Sequence, residues 1–238
     1  MPLPKIVTPT YELELPSTGK SVKYRPFLVK EEKVLLIAME SEDVKQITNA
    51  LKQVLKSCIL TRGVKVEELP TFDIEYLFLN IRGKSVGEEI EVNLIAPDDG
   101  ETSVSVTINV EDIGIERPEN HEKTIKLDSN LRMEMKYPSL DEFIKNNFDF
   151  QEQTLDQSFE LIAGCVDKIY NEEEVWSSAD CTKKDIIEFL GQMNSIQFKA
   201  VDEFFNTMPK LSHKVTFTNP NTGVENIVKL EGLASFFG

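Results

Sequence analysis

The chain of 238 residues sets 26 Lys and Arg against 41 Asp and Glu, a formal net charge of −15, with 40% hydrophobic and 28% charged residues. That balance lies near the globular average and excludes wholesale disorder or a fibrous repeat, while the acid excess repels phosphate backbones and disfavours nucleic-acid binding through counterion release. No window approaches the roughly 20 apolar residues of a membrane span and Met1–Thr10 lacks a signal-peptide layout, so a soluble, non-secreted protein is expected.

The opening reads as a β-hairpin. Tyr11, Leu13 and Leu15 alternate with Glu12 and Glu14, Pro16-Ser17-Thr18-Gly19 supplies the turn, and Val22 and Tyr24 resume the alternation. After Pro26 the period changes to that of a helix, with Val34, Leu35, Ile37 and Ala38 on one stripe. A second stripe, Val44, Ile47, Leu51, Val54, Leu55 and Cys58, follows, with Ser41 as its expected N-cap. A third helix is expected after Pro70, capped by Thr71, burying Ile74, Leu77, Phe78 and Ile81, and stopped by Gly83.

From Gly87 the period is two. Ile90, Val92 and Leu94 alternate up to Pro97-Asp98-Asp99-Gly100, Val104 to Val110 alternate after it, and Ile125, Leu127 and then Leu131 to Tyr137 add further strands. Ser139 with Glu142 forms a capping-box pair, and Leu155, Phe159, Ile162, Val166 and Ile169 predict an amphipathic helix. Thr182 with Asp185 opens a last long helix through Phe204, followed by a hairpin around Asn219–Gly223 and a closing apolar Leu233, Phe236 and Phe237. The expected fold class is α+β: a helical framework with an N-terminal β-hairpin, a central β-rich insert and a C-terminal hairpin. The expected segments are 1–87, 88–137 and 138–238.

Chemistry-bearing patterns are scarce. Gly83-Lys84-Ser85 resembles the tail of a phosphate-binding loop, but that motif needs a glycine five residues earlier, where Phe78 stands, and a strand before it instead of a helix. His121 and His213 stand apart from any metal-ligand spacing, and Cys58, Cys165 and Cys181 form no C-x-x-C and read as reduced thiols. No catalytic residue, cofactor or metal is therefore expected. An enzyme built from dispersed carboxylates is the least favoured reading, since no spacing marks a pair.

Two segments point instead to partners. Glu172-Glu173-Glu174 beside Trp176 reads as a solvated loop or as an acidic surface for a basic partner. Leu233, Phe236 and Phe237 need an apolar dock, either the chain's own core or a neighbour. The charge is also uneven: residues 1–84 hold 13 basic and 11 acidic side chains, net +2, and residues 85–238 hold 13 and 30, net −17.

Several stretches carry a family likeness. Leu15-Pro16-Ser17-Thr18-Gly19-Lys20 and YRPFLVKEEKVLLIAMES, from Tyr24 to Ser41, resemble the N-terminal signature of the baseplate hub assembly proteins of T-even-type contractile-tailed bacteriophages. IRGKSVGE (Ile81–Glu88), MKYPS (Met135–Ser139) and EGLASFFG (Glu231–Gly238) extend the likeness along the chain. The resemblance implies a non-enzymatic protein that assembles the central hub through contacts with other hub or tail proteins. It further implies action in the infected host's cytoplasm and a place in the tail baseplate. An alternative is a dedicated chaperone that holds the helical tape-measure protein and is absent from the mature particle. Some relatives carry paired cysteines in the β insert, suggesting a metal knuckle. Here Ala96-Pro97-Asp98-Asp99-Gly100 stands at that turn, which leaves proline and glycine geometry to hold it.

Overall fold

Alternation between Tyr11 and Tyr24 becomes an antiparallel pair, β1 (Tyr11–Glu14) and β2 (Ser21–Tyr24), in a computed structural model that describes residues 6–41, 43–140 and 155–237. The turn closes through the Gly19 N–H donating to the Leu15 carbonyl at 2.8 Å, with Gly19 at φ 68°, a conformation that suits a residue without Cβ. The chain then forms α1 (Val29–Glu40), α2 (Val44–Cys58) and α3 (Thr71–Val86). Arg25 and Glu31 pair at 2.7 Å beneath α1, and the Glu31 carboxylate also accepts the Leu28 N–H at 2.7 Å.

Three helix ends differ from expectation. Asp43 caps α2, accepting from the Lys45 and Gln46 N–H groups at 2.8 and 3.3 Å, whereas Ser41 ends α1 and donates its hydroxyl to the Ala38 carbonyl at 2.6 Å. Pro70, not Thr71, precedes the first turn of α3. Gly83 does not stop α3, which runs on to Gly87 at φ 129°. A Cβ at Gly83 would lie 3.3 Å from both Val110 methyl groups, so this glycine permits close approach of the neighbouring chain.

The period-two region gives β3 (Glu89–Ile95), β4 (Ser103–Asn109), β5 (Gly114–Glu116), β6 (Thr124–Lys126) and β7 (Arg132–Met135). Next come α4 (Leu155–Cys165), β8 (Val166–Tyr170), β9 (Val175–Ser177), α5 (Lys183–Leu190) and α6 (Ser195–Thr207). The chain ends with β10 (Lys210–Thr218), β11 (Glu225–Glu231) and α7 (Ala234–Phe237). This is an α+β protein of small antiparallel sheets. The Glu142 half of the expected capping box lies outside the described residues.

Two departures in the second half follow from how period is read. Val166 and Ile169 continue the helical spacing of Phe159 and Ile162, but the helix stops at Cys165 and both residues belong to β8. The single helix expected from Thr182 to Phe204 is two. The Thr182 and Asp185 capping box does open α5, which ends at Gly191, and a second box of Asn194 and Gln197 opens α6.

Apolar side chains gather in two clusters. The first joins β1 to β4 and α1 to α3 with Leu211, Val215, Phe217, Leu230, Leu233 and Phe236 from the chain's end. Its centre is α3, where Ile74, Leu77, Leu79 and Ile81 are fully buried, each contributing about 1.5–3 kcal/mol by transfer arithmetic. The second joins the sheet of order β6-β7-β8-β9 to α4, α5 and α6. The strands between 88 and 137 are thus divided, with Ile90 to Ile113 in the first cluster and Ile125 to Met135 in the second. Phe72 of α3 meets Tyr137 edge-on at 5.0 Å, and Tyr137 stacks on Phe204 of α6 at 5.8 Å, so an aromatic series links the clusters. Glu116 and Lys210 are partners in the β5–β10 ladder, and between them the chain comes back once to the first cluster, where Leu140 is fully buried and the Pro138 carbonyl accepts the Thr71 N–H at 3.1 Å.

Candidate protein-docking site

The acidic run and Trp176 meet at the edge of the second cluster. Register aligns Ile125, Met133, Ile169 and Trp176 in one row across β6 to β9, on the face that α4, α5 and α6 cover. The first three are buried, but β9 is the edge strand and Trp176 stays 39% exposed. Beneath it opens a pocket of about 300 Å³ walled by Leu131, Ile169, Cys181, Ile186 and Phe189, with Asp185 at its polar side.

The β8–β9 turn holds the acidic residues in place. The Asn171 side-chain carbonyl accepts the Glu173 and Glu174 N–H groups at 2.8 and 2.7 Å, and the Asn171 N–H donates to the Glu174 carbonyl at 3.0 Å. Glu172, Glu173 and Glu174 therefore project from a fixed turn, all exposed, next to the exposed Val175. On α5 the Thr182 hydroxyl and N–H donate to Asp185 at 2.6 and 2.9 Å, which keeps that carboxyl below its ordinary range and ionised. Nearby lysines are engaged by acids, Lys183 with Glu160 and Lys184 with Glu188, each at 3.6 Å. Lys126 and Arg132 occupy the alternate positions of their strands, on the opposite face of the sheet. An apolar hollow with Asp185 in its wall, on a strand that leads out of an exposed acidic turn, suits a side chain of the aliphatic or aromatic kind flanked by basic residues.

The C-terminal residues go elsewhere. Leu233 and Phe236 are buried in the first cluster, 4% and 1% exposed, and α7 packs against β3 and β11. Of the two docks open to this segment, these side chains use the chain's own core; the side chain of Phe237 lies outside the described residues. Gly232 at φ 71° turns the chain inward, its N–H donating to the Leu211 carbonyl at 2.8 Å. Beside it the Glu75 carboxylate accepts the Leu233 N–H at 3.3 Å, and burial pushes the Glu75 carboxyl up to about 7.

Other expected features are structural. His121 shares hydrogen bonds with the Thr207 hydroxyl at 3.0 Å and the Tyr137 hydroxyl at 3.1 Å inside the linking aromatic series. The Cys58 thiol is buried and pushed up to about 11, and among the described residues no group of three His, Cys, Asp or Glu is placed to hold a metal. The Pro97–Gly100 turn has more than backbone geometry to hold it. Asp98 and Asp99 both accept from the fully buried Asn219 amide at 2.9 Å, and Asn226 donates to Asp98 at 2.9 Å, which locks the β3–β4 turn onto the β10–β11 turn.

The strand β8 and edge strand β9 that build this site escape sequence reasoning. Gly164 followed by Cys165 was the available signal that the helical stripe ends before Val166.

Fold and site together define a multi-sheet α+β protein with an apolar surface pocket at the edge of its second cluster. The chain belongs to the family described as T4 bacteriophage base plate protein, whose family model matches residues 8–238. It is a phage baseplate protein. No curated protein and no solved structure gives a significant match.

Proposed function

We propose that this baseplate protein acts in assembly of the central hub, without catalysis, by docking a basic, apolar-anchored segment of another hub or tail protein at Trp176. The observation that carries the reading is the pocket of about 300 Å³ beneath a half-exposed tryptophan, beside three glutamates held on a fixed turn. The acidic field speeds encounter, and the pocket sets which side chain is retained. Assembly in the host cytoplasm fits this role, and retention in the virion tail fits a structural component.

The test is assembly of baseplates in cells supplied with Trp176→Ala or with Glu172, Glu173 and Glu174 all changed to Lys. Both variants should keep the wild-type melting temperature and lose hub assembly; normal assembly would refute the site. Mass spectrometry of purified particles beside assembly intermediates separates the two forms of the reading. Presence in both indicates a structural component, and presence only in intermediates indicates the chaperone role toward the tape-measure protein.

A further inference from the structure

A second surface, on the first cluster and remote in sequence from Trp176, is left without cover among the described residues. Helix α1 turns Glu31 and Ala38 inward, with Val34 and Leu35 packed against the core. Its other face is also apolar: Val29 is 80% exposed, Leu36 56%, Ile37 54% and Met39 52%. Apolar side chains this exposed and this close together on one helix face are ordinarily covered by a partner. Along the exposed face Val29, Lys33, Leu36 and Glu40 follow at spacings of four, three and four, the stripe by which one helix seats on another.

The charges on this stripe identify the occupant. On the outward face Lys33 precedes Glu40 by about two turns, while the first turn itself carries Lys30, the inward Glu31 and the half-buried Glu32. The arrangement is complementary to itself when run antiparallel. The register that sets Leu36 against Ile37 of a second copy brings Lys33 of each helix opposite Glu40 of the other. A parallel arrangement would oppose like charges. The face also lies in the part of the chain with net +2, so the strong negative field of residues 85–238 is not centred on it.

We propose that the outward face of α1 pairs antiparallel with the same face of a second copy of this chain, about a two-fold axis near Leu36 and Ile37. A helix of 12 residues is about 18 Å long, so the pair buries less than the roughly 1,200 Å² of a stable interface and makes a reversible dimer. It forms where assembly concentrates the protein, and it leaves the Trp176 pocket of each copy free. The inference stands apart from the docking function proposed above, because it concerns another face and is read without any partner protein.

The experiment is sedimentation velocity of the full chain from about 10 to about 500 µM in 0.15 M salt, where the screening length is about 8 Å. The weight-average mass should rise from 27.1 kDa toward twice that value with concentration. Lys33→Glu alone and Glu40→Lys alone should each weaken association at least about tenfold, and an equimolar mixture of the two variants should restore it, because each then presents the charge the other lacks. Leu36→Glu should abolish the dimer and leave the melting temperature unchanged. A chain that stays monomeric throughout would overturn the proposal, including one that seats a different baseplate protein on this helix. So would association indifferent to the charge changes. A fall in melting temperature of the monomer on Leu36→Glu would also overturn it, since it would mean that the chain itself covers this face.

Discussion

Glu75→Gln should stabilise the protein at neutral pH and leave it unchanged in acid. Glu75 lies on α3 within the first apolar cluster, 8% exposed, with its carboxylate accepting the Leu233 N–H. Burial raises its carboxyl from an ordinary 4.5 to about 7, partly offset by the Leu233 and Leu211 N–H groups. A carboxyl whose folded value is raised holds its proton more tightly in the native state. Its contribution is therefore fully present below about pH 4.5 and is lost as pH rises through about 7. Raising the carboxyl from 4.5 to about 7 corresponds to about 3 kcal/mol, the cost of ionising Glu75 in place. Glutamine keeps an oxygen for the Leu233 N–H and never ionises. Urea denaturation of both proteins, read by circular dichroism, should show nearly equal stability at pH 4 and an advantage of about 2–3 kcal/mol for the variant at pH 8. Taking the difference between the two proteins removes the contribution of the other carboxylates. An advantage that is constant between pH 4 and pH 8 would refute the reasoning.

Phe236→Ala removes a fully buried ring from the first cluster and should cost about 3–5 kcal/mol, lowering the melting temperature by roughly 6–20 °C in calorimetry. Labelling of the native protein with a thiol reagent should modify Cys181, which lines the Trp176 pocket, well before the buried Cys58 and Cys165; a bound hub partner should protect Cys181. Replacing residues 118–208 by a short Gly-Ser linker joins positions that already face each other in one ladder, Glu116 and Lys210, but removes the fully buried Leu140 and the Pro138 carbonyl bound to Thr71, so the first cluster should fold with its stability lowered by about 2–5 kcal/mol in urea denaturation. Loss of cooperative unfolding in that shortened chain would show that the two clusters stand or fall together.

Where structure depends on neighbours in sequence, reading the chain by itself sufficed. The alternation of Tyr11 to Tyr24, the turn glycine Gly19, the Thr182 and Asp185 capping box and the β3–β4 and β10–β11 hairpins all rest on bonds between residues close along the chain. The family likeness was legible for a similar reason, because short motifs survive as sequence. Long-range placement was not. Alternation marks a strand but carries no label for the core it will face, so the strands after Gly87 entered two clusters. Spacing of three and four between Ile162, Val166 and Ile169 fits a helix as well as a helix that ends in a strand, and only pairing of β8 with β7 and β9 decides between them. The candidate site shows the same division. Glu172 to Trp176 could be singled out by residue type, but the pocket exists because cross-strand register sets Trp176 at the open end of an apolar row above α5. Leu233 and Phe236 were recognisably in need of cover, and it took the fold to bring α3, with Glu75 at its side, up to the end of a chain more than 150 residues away.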